Sequence, residues 1–274
     1  MAEILELPND EYHRRQEVSA SMLKSMAKSW RWFEAEYITR SMPRKETTAM
    51  ALGTAIHAAV LEPEEFLRNY VVTPPEASDR RTKAHKEWRA SIEGDPQILS
   101  SGEYDTIRQS WYAVRSHPIV SRLLESTDRR IVDPEQSIIF DDLTGVPCRI
   151  RPDLVVPPFI VDIKTTQDAM PGAFAKQAAN LHYDLQAAHY TEGMYHVDDS
   201  VEWQFLFVAV ETSPPFRCRV IDIEENDRMA AVTHRLDLLS EYSLRRQSDD
   251  WADEGERNVC TISMPRWHRR EAIV

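Results

Sequence analysis

The sequence predicts an α/β fold in which a mixed central β-sheet is flanked by helices, with helical additions on the N-terminal side. Apolar residues recur at helical spacing through the first 130 residues, and glycine is scarce, with 7 in the whole chain. Near residue 135 the period changes to that of short strands. The elements then follow in the order β-β-β, helix, β-β, helix, which is typical of a sheet covered by helices.

The N-terminal half is predicted to be mainly helical. Ser19 and Ser21 are candidate N-caps for a helix whose apolar stripe recurs every three or four residues, at Met22, Leu23, Met26, Trp30 and Phe33. A second helix is predicted over 47–62, ending at Pro63. Residues 74–86 predict a loop that leads into a helix, and another helix covers 102–125, interrupted near Pro118. We interpret 65–130 as a helical insertion within a single domain spanning 1–274.

The C-terminal half supplies the strands. The run EQSIIFD from Glu135, the turn DLTG and the returning arm VPCRIRPDLVV predict a β-hairpin, and FIVDIKTT predicts a third strand. A helix over 169–197, broken near Asn180, precedes two strands, VEWQFLFVAVE and FRCRVIDIE. A long helix from Glu224 to about residue 246 follows, and a last strand is predicted at 259–263.

Composition excludes several classes of protein. No apolar run approaches the ~18–20 residues that span a bilayer, and the acidic N-terminus is unlike a signal peptide, so we expect a soluble cytoplasmic protein without a membrane partner. Three distant cysteines lack the spacing of a zinc or iron–sulfur site. The net charge of −12 argues against indiscriminate coating of nucleic acid, although a local basic groove remains compatible with it.

The residues that carry chemistry are Asp153, Asp162 and Lys164. Side chains alternate along a strand, so Asp162 and Lys164 project from the same face of the third strand. Asp153 reaches the same place if the preceding strand is its neighbour. Paired carboxylates favour Mg²⁺, which activates water and neutralises charge on a phosphate, with Lys164 placed to orient or help deprotonate the nucleophile. The alternative is an ordinary ion pair at a strand end, because Asp-x-Lys is common by chance.

Five segments together resemble a known family. RPD at 151–153 and DIK at 162–164 resemble the PD-(D/E)XK nuclease signature. GTAIHAAVLEP at 53–63 is similar to the GTxxHxxxLEP helix of its RecB-like branch, and QAAHY at 186–190 is similar to the QxxxY motif. SASMLKSMAKSWRWFEAEY at 19–37 is similar to the first helix of the family, with Ser-Trp where Ser-Pro is common. The combination resembles RecE-type phage exonucleases.

The resemblance implies a restriction-endonuclease-like PD-(D/E)XK core and assigns roles to further residues. It implies that His57 and the Ile163 carbonyl join Asp153 and Asp162 as ligands of Mg²⁺, for which Mn²⁺ could substitute, and that Lys164 activates water. It also implies that Gln186 and Tyr190 contact DNA or organise the site. From the residues alone, His57 is interpreted as a hydrogen-bonded core histidine on an apolar helix, and the Gln186–Tyr190 pair as an amphipathic helix face.

Other residues are assigned secondary roles. Thr165 and Thr166 are expected to position Lys164 or a phosphate, and Glu135 is either a carboxylate near the metal or a solvent-facing side chain. Two basic clusters are candidate DNA contacts, the alternative being solvated charge: Arg80, Arg81, Lys83, Lys86, Arg266, Arg269 and Arg270. Two departures from the family matter. Asp162 replaces the commoner Glu, and the four-cysteine cluster of some relatives is missing.

The sequence thus favours a Mg²⁺-dependent exonuclease that hydrolyses duplex DNA from its ends, of phage or prophage type, in a bacterial host cell. The resemblance implies a ring-shaped homo-oligomer and a single-strand annealing recombinase as partner in homologous recombination. Three alternatives remain open. They are an endonuclease or single-strand-specific nuclease of the same fold, a non-catalytic DNA-binding scaffold, and a hydrolase of small phosphoesters.

Overall fold

The computed structural model describes residues 2–42, 47–126 and 136–265. Its helices are α1 (Asn9–Arg14), α2 (Ala20–Lys28), α3 (Trp30–Phe33), α4 (Thr48–Leu61), α5 (Pro63–Asn69), α6 (Lys83–Ala90), α7 (Ser101–Arg115), α8 (Pro118–Glu125), α9 (Pro171–Asn180), α10 (Tyr183–Val197) and α11 (Glu225–Ser248). Its strands are β1 (Glu3–Glu6), β2 (Tyr70–Val72), β3 (Gln97–Leu99), β4 (Gln136–Asp141), β5 (Pro147–Ile150), β6 (Leu154–Val156), β7 (Phe159–Thr166), β8 (Gln204–Glu211) and β9 (Cys218–Ile221).

The central sheet has four strands in the order β6-β7-β8-β9. β7 runs parallel to β8 over eight residue pairs, from Phe159↔Gln204 to Thr166↔Glu211, while β6 and β9 are antiparallel edge strands. The parallel pair requires a crossover connection, which α9 and α10 provide between β7 and β8. The predicted mixed sheet flanked by helices is therefore confirmed.

The predicted hairpin forms, but its returning arm is divided into β5 and β6, which belong to two different sheets. β4 and β5 pair antiparallel, and β1 adds to the free edge of β4 to make a separate three-stranded sheet. The arm leaves this sheet after Ile150 and enters the central sheet only at Leu154. The interpretation of 146–156 as one strand is thus wrong. Pro152, which lacks a backbone N–H, lies in the break and cannot donate a ladder hydrogen bond there.

Two apolar cores lie on the two faces of the central sheet. Ile160 and Phe207 face a core built with α2, α10, α11 and the hairpin. Val161 and Ile163 face a second core, built with α4, α7 and α8. Because side chains alternate along β7, Asp162 and Lys164 lie on the first face, between the sheet and α10.

The first predicted helix begins at its expected cap and ends early. The Ser19 side chain accepts a hydrogen bond from Met22 N, which confirms the N-cap. The helix does not run through to Phe33, because Ser29 adopts an extended backbone and caps a new helix, α3, which continues as a π-helix over Glu34–Ile38. The second helix begins after Thr47, whose side chain accepts from Met50 N, and α5 starts at Pro63.

The segment interpreted as an insertion, 65–130, is described up to residue 126. It contains α6, α7 and α8 but also the parallel strand pair of β2 and β3, so it is not purely helical. The last strand predicted at 259–263 is wrong, since these residues form no regular element. Every helix among the described residues is too short or too polar to span a bilayer.

Candidate active site

The structure brings Asp153, Asp162 and Lys164 to one place at the middle of β7. Asp153 precedes β6, the antiparallel neighbour of β7, and its Oδ2 accepts a hydrogen bond of 2.9 Å from Ile163 N. Lys164 Nζ lies 2.5 Å from Asp162 Oδ2. The juxtaposition expected from the sequence therefore exists, and it depends on the pairing of β6 with β7.

His57 reaches the same point from α4, which packs on the opposite face of the sheet. Its Nε2 lies 2.5 Å from the Ile163 carbonyl oxygen, and since a carbonyl only accepts, Nε2 carries the proton. Its Nδ1 lies 3.3 Å from Asp153 Oδ2. In the neutral ring, a lone pair on Nδ1 then faces a carboxylate. A proton or a metal cation between these two groups would stabilise the arrangement.

Asp162 is buried, and its two oxygens have different neighbours. Oδ1 accepts a hydrogen bond of 2.5 Å from Gln186 Nε2, which α10 carries across the sheet face. Oδ2 is paired in charge with Lys164 but receives no hydrogen bond of good geometry. A buried carboxylate oxygen without a hydrogen-bond donor is costly unless a cation shares it.

The electrostatics of the site favour a cation between the carboxylates. Burial raises the pKa of Asp153, and the negative charge of Asp162 raises it further, against the opposing effects of His57 and Lys164. Burial lowers the pKa of Lys164, but the charges of Asp162 and Asp153 outweigh it and raise this pKa above its ordinary value. The lysine is therefore held as an ammonium beside two carboxylates.

A cavity of about 570 Å³ opens over these residues. It lies between β7, the start of α2 and α10, and both Asp153 and Asp162 line it, whereas His57 does not. Its charged side chains include three cations as well, Lys24, Arg151 and Lys164. A cavity with both carboxylates and cations at its wall suits a phosphate bound together with a divalent metal.

Tyr190 and Gln186 lie one helical turn apart on α10 and both line the cavity. The Tyr190 hydroxyl donates to the Arg151 carbonyl oxygen at 3.1 Å, which anchors the segment that leads to Asp153. Burial raises the pKa of Tyr190 well above its ordinary value, so its hydroxyl stays protonated. In this structure Gln186 contacts the Asp162 carboxylate, and Tyr190 contacts the segment that leads to Asp153. A role of the two residues in organising the site or in contacting DNA stays a prediction.

The two threonines after Lys164 face opposite sides of the sheet. The Thr166 hydroxyl hydrogen-bonds to Gln177 Oε1 at 2.7 Å and to the Asp168 carbonyl oxygen at 3.1 Å. Thr165 Oγ1 lies on the α4 side, where the Cβ of an alanine at Gly53 would approach it to 3.4 Å. Neither contact involves Lys164, and the Thr166 hydroxyl links β7 to α9.

The proposed DNA contacts are only partly described. Arg81 pairs with Asp79 at 2.9 Å and Lys83 with Glu87 at 3.4 Å, so both charges are compensated locally. The residues described around the cavity include neither of them, nor Arg80 or Lys86. Four expected site residues lie outside the described residues: Glu135, Arg266, Arg269 and Arg270.

Sequence reasoning overlooked Lys24 and Tyr183. Lys24 Nζ donates to Gln186 Oε1 at 2.6 Å and lies 4.9 Å from the centre of the Tyr183 ring. Lys164 Nζ lies 5.2 Å from the same ring. Lys24 belongs to the segment that resembles the first helix of the family, which was a signal that the helix approaches the site. Nothing in its local pattern distinguishes it from a surface lysine.

The donor set fits a hard divalent metal, although the site is not fully assembled. Among the residues that the structure describes, no three His, Cys, Asp or Glu side chains are already arranged to hold a metal ion. His57, Asp153 and the Ile163 carbonyl are in contact, while Asp162 is engaged by Gln186 and Lys164. Oxygen ligands with one imidazole suit Mg²⁺ or Mn²⁺. Asp162 Oδ2, which faces the Lys164 ammonium but receives no hydrogen bond of good geometry, is the atom that such a cation would share.

Comparisons with known proteins agree with this geometry. A crystal structure from Eubacterium rectale named "Putative exonuclease" superposes with a TM-score of 0.63 at 14% identity, covering 95% of this chain and 96% of the other. It shows the shared fold. No curated protein matches the sequence. The family model described as "PDDEXK-like domain of unknown function (DUF3799)" matches residues 19–262. Because that match spans most of the chain, the protein belongs to this family of PDDEXK-like, nuclease-type domains.

Proposed function

We propose that the protein is a Mg²⁺-dependent exonuclease that hydrolyses phosphodiester bonds from the ends of duplex DNA. The observation that carries the proposal is the convergence of Asp153, Asp162 and Lys164 on one cavity wall. Two carboxylates held together in a half-buried site repel each other, and they are useful when a cation neutralises them. Mn²⁺ is expected to substitute for Mg²⁺ because both prefer oxygen ligands.

Each residue has a separate part in the proposed reaction. Asp153 and Asp162 would hold the metal with the Ile163 carbonyl and His57. A bound metal of this kind supplies a more acidic water and neutralises charge that develops on the phosphate. Lys164, an ammonium beside Asp162, donates hydrogen bonds to the attacking water or to a phosphate oxygen. Gln186 would hold the Asp162 carboxylate in place, and Tyr190 would hold the segment that leads to Asp153.

Preference for DNA ends is supported by resemblance rather than by contacts. The motifs resemble RecE-type enzymes, and the Eubacterium rectale protein of the same fold carries the name exonuclease. A phage-type recombination role in a bacterial cytoplasm, a ring of identical subunits and a single-strand annealing recombinase as partner are part of the same proposal. The cations at the cavity wall support an anionic substrate in general.

The proposal is tested with three substrates of the same sequence: linear duplex, relaxed closed circle and single strand. We expect steady loss of the linear duplex with Mg²⁺ or Mn²⁺, no loss with EDTA, and an intact closed circle. Asp162→Asn serves as the inactive control. Nicking of the circle at a comparable rate would favour an endonuclease, and degradation of the single strand alone a single-strand-specific nuclease. Metal-independent binding without cleavage would favour a scaffold.

A further inference from the structure

We propose that Lys24 is a positioning residue of this site, acting on Asp162 through the side-chain amide of Gln186. The inference rests on the proposed nuclease function and adds a residue to it. Lys24 lies on α2, 162 positions from Gln186 in the chain, so helix packing alone brings the two together. Its role would be to hold the carboxylate of Asp162 in one orientation.

The direction of each hydrogen bond between Lys24, Gln186 and Asp162 is fixed by the chemistry of the groups. An ammonium only donates hydrogen bonds, so the 2.6 Å contact with Lys24 Nζ fixes Oε1 as the end of Gln186 that faces Lys24. A carboxylate only accepts, so the 2.5 Å contact with Asp162 Oδ1 fixes Nε2 at the other end. Gln186 and Asp162 are 5% and 3% exposed, so water does not compete freely for either contact.

Asp162 is therefore held between two ammonium groups by different routes. Lys164 pairs directly with Oδ2, and Lys24 reaches Oδ1 through the amide, which it polarises into a stronger donor. The Tyr183 ring supports both ammonium groups, at 4.9 Å and 5.2 Å from its centre. With Oδ1 fixed in this way, Oδ2 is the oxygen that a metal cation would share with the Lys164 ammonium.

Loss of the Lys24 ammonium leaves the Gln186 oxygen without its donor in a buried place. The amide is then free to change its rotamer, and the Asp162 carboxylate is free to rotate about its last torsion. A misplaced carboxylate slows the chemical step, because catalysis depends on the positions of the reacting groups. Affinity for DNA depends mainly on phosphate contacts elsewhere and should change little.

Single-turnover cleavage and DNA binding are measured for Lys24→Met, Gln186→Met and the double variant. Methionine keeps the length and the helix propensity of the lysine stem, and Lys24→Gln provides a second neutral variant. We expect Lys24→Met to slow cleavage about tenfold or more while the Kd for DNA changes by less than about threefold. Lys24→Arg should recover most of the rate. Lys28→Met, one turn along the same helix and exposed, should match the wild type.

The double variant distinguishes a relay from a direct contact. If Lys24 acts only through Gln186, Lys24→Met adds no further loss in the Gln186→Met background. Losses of rate that multiply would show that Lys24 acts independently of Gln186. A fall in DNA affinity as large as the fall in rate would show that Lys24 contacts DNA. Either result would overturn the proposal.

A readout without metal or DNA separates this inference from the nuclease proposal. The side-chain NH₂ signal of Gln186 is identified by NMR as the pair missing from Gln186→Met. Lys24→Met should shift or broaden it, Lys24→Arg should restore it, and Lys28→Met should leave it unchanged. An unchanged signal in Lys24→Met would refute the relay. If the signal responds while the wild type cleaves no DNA, the positioning contact stands and the proposed function falls.

Discussion

At the scale of single residues, the site is defined by what each carboxylate oxygen contacts. Asp153 Oδ2 is bound to the backbone of β7 at Ile163 N and also faces His57. Asp162 divides its oxygens between Gln186 and Lys164. Asp153 is thus a structural link to β7 as well as a candidate metal ligand. The structural role needs only a hydrogen-bond acceptor, whereas the metal site needs a negative charge.

Substitution of Asp153 should separate these roles. Asp153→Asn keeps an acceptor for Ile163 N, so we expect a normal melting temperature with metal-dependent cleavage reduced by on the order of 10²-fold or more. Asp153→Ala should lose activity equally but also destabilise the fold by about 1–3 kcal/mol, because a backbone donor loses its partner. Cleavage assays and denaturant titrations measure both effects. Asp199→Asn, an exposed carboxylate, is the control, and near-normal cleavage by folded Asp153→Asn would disprove the assignment.

His189 lies between Gln186 and Tyr190 and gives a pH-dependent prediction. Burial and the charge of Arg235 lower the pKa of His189 to about 3. The ring stays neutral because it is buried and because its Nδ1 accepts from the positively charged Arg235, at 3.2 Å from Nε. Nε2 carries the single proton and donates to the Val18 and Arg149 carbonyl oxygens, at 3.1 Å each. The motif therefore contains a histidine that holds α10 to the hairpin and to α11.

This depressed pKa should make the protein less stable in mild acid. Above about pH 6.5 the ring is neutral in both the folded and the unfolded protein, so its full contribution is present. As the pH falls below about 6.5, His189 binds a proton in the unfolded chain, whereas in the folded protein it stays neutral until about pH 3. We expect the free energy of unfolding to drop by about 2 kcal/mol between pH 7 and pH 5 from this group. His189→Gln should flatten that dependence, and parallel pH curves for the two proteins would contradict the prediction.

Residue patterns predicted the core of the site because its geometry is local. The alternation of side chains places Asp162 and Lys164 together. A short loop joins β6 to β7 as an antiparallel pair, which brings Asp153, just before β6, next to them. The contact of Lys24 with Gln186 could not be predicted, since it depends on how α2 docks against α10. The same holds for Tyr183, whose ring position follows from the break between α9 and α10.

At the scale of elements, polar caps decide where helices begin and end. The predicted first helix divides at Ser29, because Ser29 and the C-terminal segment supply caps for a new helix. Asp253 Oδ2 accepts from the Ser29 hydroxyl at 2.6 Å, and Oδ1 accepts from Trp30 N at 2.6 Å. Trp251 packs against Trp30 and Phe33 beside this contact. Such a cap lies 224 positions away in the chain, so no local pattern could have revealed it.

Asp253→Ala should therefore loosen the junction of α2 and α3. Removal of a capping side chain costs about 0.5–2 kcal/mol, and here two donors lose their acceptor at once. We expect a loss near the upper end of that range in chemical denaturation. Glu254→Ala changes an exposed neighbour and should stay within about 0.5 kcal/mol of the wild type. Equal effects of the two substitutions would show that the cap contributes nothing to stability.

At the scale of the whole molecule, charge is the property that needs explanation. The chain carries −12 in total, yet the proposed substrate is a polyanion. Long-range repulsion between like charges is screened beyond about 8–10 Å at physiological salt, so local cations decide whether DNA can approach. Arg151 and Lys164 supply such cations at the cavity wall. In the proposed ring, copies arranged around a channel would gather these groups from every subunit.

A ring of subunits should determine how long the enzyme stays on one DNA molecule. If copies form the proposed ring, light scattering should give a mass that is a multiple of 31.7 kDa. A ring that encloses a strand dissociates slowly, so degradation of a labelled linear duplex should continue after a large excess of unlabelled duplex is added. Raising the salt should reduce loading onto ends, because loading relies on phosphate contacts, but should affect complexes already threaded much less. Lys164→Ala, mixed with DNA under the same conditions, controls for binding without cleavage. A monomeric mass together with cleavage that stops when competitor is added would refute the ring and favour an enzyme that releases DNA after each cut.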